Sequence, residues 1–169
     1  AGLVNNLNDG MVWGLLPIIL VQKNFALIDI GIITSIYPAV WGLTQIVTGK
    51  LADIVSKKQL LFWGMLLQAF AIGYLIFAAT YVEMITVSVL LGLGTALVYP
   101  TFLATISDNT HAMDRAKSLG IFRFWRDSGY AIGAIITGIT ADYFGAPISI
   151  CIIASLTFFS AIFIKIRMN

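Results

Sequence analysis

Four stretches of the chain carry no charged residue: Ile30–Gly49, Leu60–Val82, Met84–Ser107 and Tyr143–Ile164. A helix crosses a bilayer core with roughly 20 apolar residues, so each stretch predicts a span. Two further segments have the length but carry polar groups. Leu3–Gln22 holds Asn5, Asn6, Asn8 and Asp9 ahead of the apolar run MVWGLLPIILVQ. Ser118–Ala141 holds Arg123, Arg126 and Asp127 ahead of SGYAIGAIITGIT. The pattern predicts six helices at roughly 3–22, 27–49, 60–81, 84–106, 118–140 and 146–165. Their connections are short, so successive helices run antiparallel.

The six divide into three and three. TGKLAD at Thr48–Asp53 returns as TGITAD at Thr137–Asp142, the first closing the second helix and the other closing the fifth. GLLPIIL at Gly14–Leu20 is matched by LVYPTFL at Leu97–Leu103, each with a proline inside a helix. Three helices reverse the direction of the chain, so the second triplet is inverted in the membrane. Inverted triplets build several secondary transporter folds. The expected architecture is an all-α membrane protein with repeats over about 1–82 and 83–169.

Composition agrees with this pattern. Apolar residues make up 59% of the chain, charged residues 11%, and mean hydropathy is +0.94. A soluble domain carries about a quarter charged residues, so these proportions point to the membrane. A net charge of +2 gives nucleic acid nothing to bind. With the N-terminus inside, the inner loops and tail hold Lys50, Lys57, Lys58, Arg115, Lys117, Lys165 and Arg167, and the outer loops hold Lys23 alone. That asymmetry predicts cytoplasmic termini. No basic segment precedes the first apolar run, so a cleavable signal sequence is not expected. The missing initiator Met suggests a fragment or a processed product. The lone Cys151 is expected to pack, and His111 to be solvated in its loop. No phosphate loop, metal-ligand spacing or Ser/His/Asp arrangement is present, so neither cofactor nor enzymatic activity is expected.

The stretch GKLADIVSKKQLL resembles the signature G-x-L-A-D-R-x-G-R-[KR]-x-x-L of the major facilitator superfamily. Gly49, Leu51, Ala52, Asp53, Lys57, Lys58 and Leu61 match it, while Ile54 and Ser56 replace its Arg and Gly. Such decay is typical of the copy between the eighth and ninth helices. The later stretch YPTFLATISDNTHAMDRAKSLGIFRFWRDSGYAIGAIITGITADYFG resembles the tenth-to-eleventh helix region of bacterial members. The resemblance covers essentially the whole chain. It implies the C-terminal six-helix half of a prokaryotic inner-membrane secondary transporter, working by alternating access on a small solute with ion or proton coupling. Its partners would be lipid, the other half or a second copy of itself. The rival reading is a transporter-derived module that assembles with another membrane protein.

Residue roles follow on the same two bases. Asp53 lies just past a helix C-terminus, where the helix dipole disfavours a carboxylate, so it calls for a compensating partner. The resemblance implies contact with a helix N-terminus of the other half, with Gly49, Lys57 and Lys58 completing a gate. The lysines also suit a plain positive-inside loop. Arg123 and Asp127 stand at i and i+4 and can pair, leaving Arg126 to meet Asp53, Asp114 or a lipid phosphate. This trio reads as a latch network, as a contact for an anionic substrate or proton, or as interfacial snorkelling. Asn5, Asn8, Asp9 and Trp13 share one helical sector of about 140°. A polar sector on a spanning helix faces a cavity or the bundle interior, unless residues 3–9 are merely wet at the interface. Asp9 is the candidate for coupling, since a carboxylate in a low-dielectric cavity holds a proton more readily than one in water. Tyr37, Trp41 and Gln45, at i, i+4 and i+8, and Tyr99 and Tyr130 are further cavity candidates that serve equally as packing. Gly129, Gly133 and Gly138 are expected to let helices approach closely, and Gly92 and Gly94 to break the fourth helix.

Overall fold

The computed structural model describes residues 1–168. Six helices fill it: α1 (Gly2–Gln22), α2 (Leu27–Ile54), α3 (Lys57–Tyr74), α4 (Tyr81–Asp108), α5 (Arg115–Phe144) and α6 (Ala146–Arg167). No strand occurs among the described residues. A chain this apolar satisfies its backbone polar groups within helices, because lipid supplies no partners. By length and composition α2, α4 and α6 are each able to cross a membrane. The chain is a multi-pass membrane protein.

Several helices outrun the apolar stretches that predict them. At about 1.5 Å per residue, α4 and α5 are roughly 40–45 Å long, against a hydrocarbon core of about 30 Å. Water beyond the core does not unwind a helix, so charge marks where lipid ends and not where the helix ends. Asp53 consequently lies inside the last turn of α2 and not past it. At the other boundary α3 stops at Tyr74, several residues before the predicted end, and α4 starts at Tyr81. The start is fixed by a capping box. Thr80 accepts from the Glu83 amide, and the Glu83 carboxylate accepts from the amides of Ala79 and Thr80, both at 2.8 Å. Two orphan donors of the first turn are thereby satisfied. Gly145 alone joins α5 to α6, with φ at +87°, a left-handed conformation open to glycine.

In the bundle α1 packs on α5, α2 on α4, and α3 lies against α4 and α6. The core between them is aliphatic, built on Met11, Leu16, Ile33, Ile72, Met84, Leu91 and Ile153. Glycines set the closest approaches. A Cβ on Gly64 would lie 2.9 Å from the Gly94 carbonyl oxygen, and one on Gly94 the same distance from that of Gly64. These two allow α3 and α4 to touch backbone to backbone. The fourth helix is therefore continuous through Gly92 and Gly94; their missing side chains admit neighbours and do not break it. Gly138 faces open space and takes no part in packing.

Pro100 lies within α4 and has no amide hydrogen, so the Ala96 carbonyl four residues back lacks its usual donor. Thr48 of α2 supplies one, its hydroxyl donating to that oxygen at 2.7 Å. The first residue of TGKLAD thus ties α2 to α4. Outward faces are apolar, with Leu43, Ile46, Val47, Phe70, Phe77, Phe159 and Ile166 exposed, as contact with lipid tails demands. Cys151 is exposed on this face of α6 and not packed inside.

Lys57 meets Asp108 at 2.5 Å, joining the start of α3 to the end of α4. Both side chains are partly exposed, and such pairs contribute about 0–1 kcal/mol. Lys57→Ala is expected to lower the melting temperature by no more than a few degrees, read by scanning fluorimetry in detergent.

Candidate functional site

Asp9 is the focus. It stands on the second turn of α1 and is only 2% exposed. The Tyr37 hydroxyl, from the middle of α2, donates to Asp9 Oδ1. Tyr37 is fully buried, and its oxygen is also 3.1 Å from Thr95 Oγ1 on α4. Tyr130 of α5 approaches the same carboxylate, and Arg126 is the cation close enough to act on it. Three helices, α1, α2 and α5, therefore meet at one acid, with α4 held behind Tyr37 through Thr95.

An aromatic train leads away from this point. Trp13 lies against Tyr37 with ring centroids 6.1 Å apart, Tyr37 stacks on Trp41 at 6.3 Å, and Trp41 meets Tyr99 edge-on at 5.8 Å. The Arg126 guanidinium lies over the Tyr99 ring, 4.9 Å from its centroid. Spacing by four along α2 places Tyr37 and Trp41 on one face, and Trp41 then bridges to α4. Gln45, one turn further, is half-buried.

The acids and bases of α5 pair differently from the sequence expectation. Asp127 is held by Arg126 and not by Arg123: Nε and Nη2 of Arg126 both lie 2.7 Å from Asp127 Oδ1. Arg123 is exposed. Adjacent residues on a helix diverge by about 100°, but the long arginine side chain folds back across that angle. Arg126 thus finds its partner next door and reaches neither Asp53 nor Asp114. Asp53 is exposed, with no ion pair among the described residues, and Gly49 faces open space. Lys58 borders a shallow surface cleft with Gln59, Phe62, Trp63 and Lys165.

The polar sector of α1 splits down its middle. Asp9 and Trp13 face α2, with Trp13 47% exposed. Asn5 and Asn8 turn the other way, towards α3 and α6. Asn8 donates to Gln68 Oε1 at 2.7 Å, Gln68 donates back to Asn5 Oδ1 at 2.9 Å, and Thr157 of α6 donates to Asn8 at 2.6 Å. Asn5 in turn reaches Asn6, and Asn6 reaches Asp127 at 3.4 Å. A continuous line of hydrogen bonds runs from Thr157 to Arg126. Buried amides of this kind are stable only when satisfied. Gln68→Leu strands the Asn8 amide and the Asn5 carbonyl, and is expected to cost about 1–3 kcal/mol, measured as a lower unfolding midpoint.

Gln68, Thr95 and Thr157 are absent from the sequence-based site. Gln68 had a usable signal, since a lone amide in the apolar run of α3 requires a buried partner. The two threonines had none, because a helix satisfies such hydroxyls locally. Among the described residues no three His, Cys, Asp or Glu side chains gather to hold a metal.

Comparison with known proteins agrees with the transmembrane design. The chain is 24% identical over 145 residues to an uncharacterised MFS-type transporter, YwoD, of Bacillus subtilis, covering 86% of this chain and 32% of that one. It is 29% identical over 154 residues to the staphyloferrin B transporter of Staphylococcus aureus, covering 88% and 37%. A third relative, the uncharacterised MFS-type transporter MJ1560 of Methanocaldococcus jannaschii, is 28% identical over 121 residues, 70% of this chain and 31% of the relative. The chain spans about a third of the length of these relatives. Their names point to transport and not to enzymatic chemistry. The family described as Major Facilitator Superfamily matches residues 1–168, and the chain belongs to that superfamily.

Proposed function

We propose that this chain forms a six-helix half, the C-terminal one, of a proton-coupled secondary transporter that moves a small solute by alternating access. All six helices cross the membrane, as inverted triplets over residues 1–82 and 83–169. Both termini are cytoplasmic, and the membrane is the inner membrane of a prokaryote. The packing supports the two triplets: α1 on α5 and α2 on α4 exchange places when one triplet is laid on the other. The excess of Lys and Arg in the inner loops supports the orientation. Bacterial and archaeal relatives support the setting.

One observation carries the reading. Asp9 is a carboxylate almost fully enclosed by apolar helices, answered by phenols and a guanidinium already paired elsewhere. An acid so costly to bury in a membrane protein marks a substrate or proton path by default. Around it Trp13, Trp41, Tyr99, Arg126 and Tyr130 furnish a face drawn from α1, α2, α4 and α5, to be closed by the other half or a second copy. Exposed Asp53, with Gly49, Lys57 and Lys58, suits a gate between halves. Asn5 and Asn8 steady α1 behind that face.

The test is reconstitution of the chain with a companion half, or within its longer protein, in liposomes loaded with a pH dye. Solute-dependent proton entry is expected from the assembled pair. Solute movement with no proton flux would refute the coupling. No movement of any solute would favour an assembly module.

A further inference from the structure

The start of α3 and the end of α6 enclose a cleft of about 480 Å³, lined by Ser56, Lys58, Gln59, Phe62, Trp63 and Lys165. No acid lines it. Lys57 next door is paired with Asp108, but neither Lys58 nor Lys165 has a carboxylate partner among the described residues. The Lys165 ammonium lies over the Phe62 ring, 5.0 Å from its centroid. That contact positions the cation and leaves its N–H donors unused. Trp63 meets Phe62 edge-on at 5.1 Å and is 60% exposed. An exposed indole beside ammonium groups is the composition of a membrane–water interface. A second hollow, of about 260 Å³, lies further along the same two helices, between Ala69 and Phe70 of α3 and Ala154, Phe158 and Phe159 of α6. Ala69 and Phe70 stand seven residues beyond Phe62 and Trp63, and Phe158 stands seven before Lys165. Two helical turns make about 10 Å, within the roughly 15 Å of hydrocarbon in one leaflet. The seam between α3 and α6 is therefore basic at its mouth and apolar below.

We propose that this seam holds an anionic phospholipid, its phosphate between Lys58 and Lys165 and an acyl chain along the groove beside Phe70 and Phe158. The site lies on α3 and α6, apart from Asp9 and its partners, and does not rest on the transport reading. Two ammonium groups with no acid in the cleft leave a positive mouth. A zwitterionic lipid brings a cation of its own to that mouth, and a lipid of net negative charge does not. Basic pockets between membrane helices select anionic headgroups on these grounds. A free phosphate would meet the lysines but leave the apolar groove unused, as would an acidic peptide lying on the surface. Occupied at both levels, the seam ties α3 to α6, so the lipid favours the folded protein over the unfolded one.

The assembled protein is purified in detergent, freed of lipid, and followed by thermal shift at one ionic strength. Dioctanoyl phosphatidylglycerol is compared with dioctanoyl phosphatidylcholine, with glycerophosphoglycerol, which is the same headgroup without chains, and with inorganic phosphate. Stabilisation by phosphatidylglycerol alone is expected. Lys58→Gln and Lys165→Gln should each weaken its binding by about fivefold, the scale of one lysine against an anionic lipid, and the double variant by more than either. Lys58→Arg keeps the charge and should bind like the parent, which separates loss of the cation from damage to the fold. Lys117→Gln removes an exposed lysine that does not line the cleft and should leave binding unchanged. Equal stabilisation by phosphatidylcholine overturns the proposal, because charge would then select nothing. Equal stabilisation by glycerophosphoglycerol or phosphate overturns it as well, because the groove would then hold no chain. So does a loss in Lys117→Gln as large as in the cleft variants, unchanged affinity in the double variant, or no stabilisation by phosphatidylglycerol at all.

Discussion

Gly133→Leu leaves α1 unable to dock on α5. A Cβ at position 133 would lie 2.8 Å from Leu7 Cα and 3.0 Å from its carbonyl carbon, with the carbonyl oxygen nearer still. These are backbone atoms of a packed helix, so no rotamer change relieves the clash. Gly129 presses in the same way on Leu3, and Gly10 of α1 returns the contact against Tyr130 and the Ala134 amide nitrogen. Three glycines thus set one interface at backbone distance. Overpacking an adaptable core costs about 1–3 kcal/mol, and a rigid backbone contact exceeds that range. The membrane offers no hydrophobic drive to hold the helices once close packing is lost. The expected result is loss of the monodisperse peak on size exclusion in detergent. Gly138→Leu, whose position meets nothing within 4 Å, should elute and melt like the parent. A Gly133→Leu protein melting within a few degrees of the parent would show that the interface does not govern the fold.

Gly129 and Gly133 were legible as packing residues, but their partners, Gly10 of α1 among them, were not. Small residues at helical spacing announce a close approach without naming the helix that approaches. The same division runs through the chain. Apolar runs reveal α2, α4 and α6 because lipid imposes a length and a composition on them. Helix ends escaped this reading wherever a helix continues into water, as at Asp53. The α4 start did not have to escape it, since Thr80 and Glu83 spell a capping box. Asp9 stood out as an acid in an apolar helix, yet its sector of α1 faces two ways. Periodicity gives a residue its angle on its own helix; which neighbour occupies that angle is decided by tertiary packing. Arg126 and Asp127 illustrate the limit of spacing rules. Their pairing depends on a flexible side chain folding back along the helix, which i and i+4 geometry does not contain. Likewise Pro100 declares a free carbonyl at Ala96 from sequence alone, while the donor from Thr48, 48 positions earlier, becomes visible only in three dimensions.

Asp9→Asn is expected to separate transport from its driving force. Asparagine has nearly the same shape and keeps an oxygen to accept from Tyr37, so the bond that joins α1 to α2 persists. What disappears is the capacity to gain and lose a proton at a buried position. In reconstituted vesicles the variant should still exchange solute down its gradient. Uphill accumulation driven by a pH gradient should fall about tenfold or more, the effect expected when a positioned proton acceptor is removed. Exchange in the parent should vary with pH because the charge beside Tyr37, Tyr130 and Arg126 varies, and in the variant that dependence should flatten. Stability should move the opposite way. A buried carboxylate without a direct cation partner is expensive, so its neutral replacement should melt at the same temperature as the parent or higher. A merely structural Asp9 would give the reverse pattern, a lower melting temperature with coupling intact. The two measurements together therefore decide whether the acid is kept for the fold or for the proton, and the burial of Asp9 among groups that do not neutralise it argues for the proton.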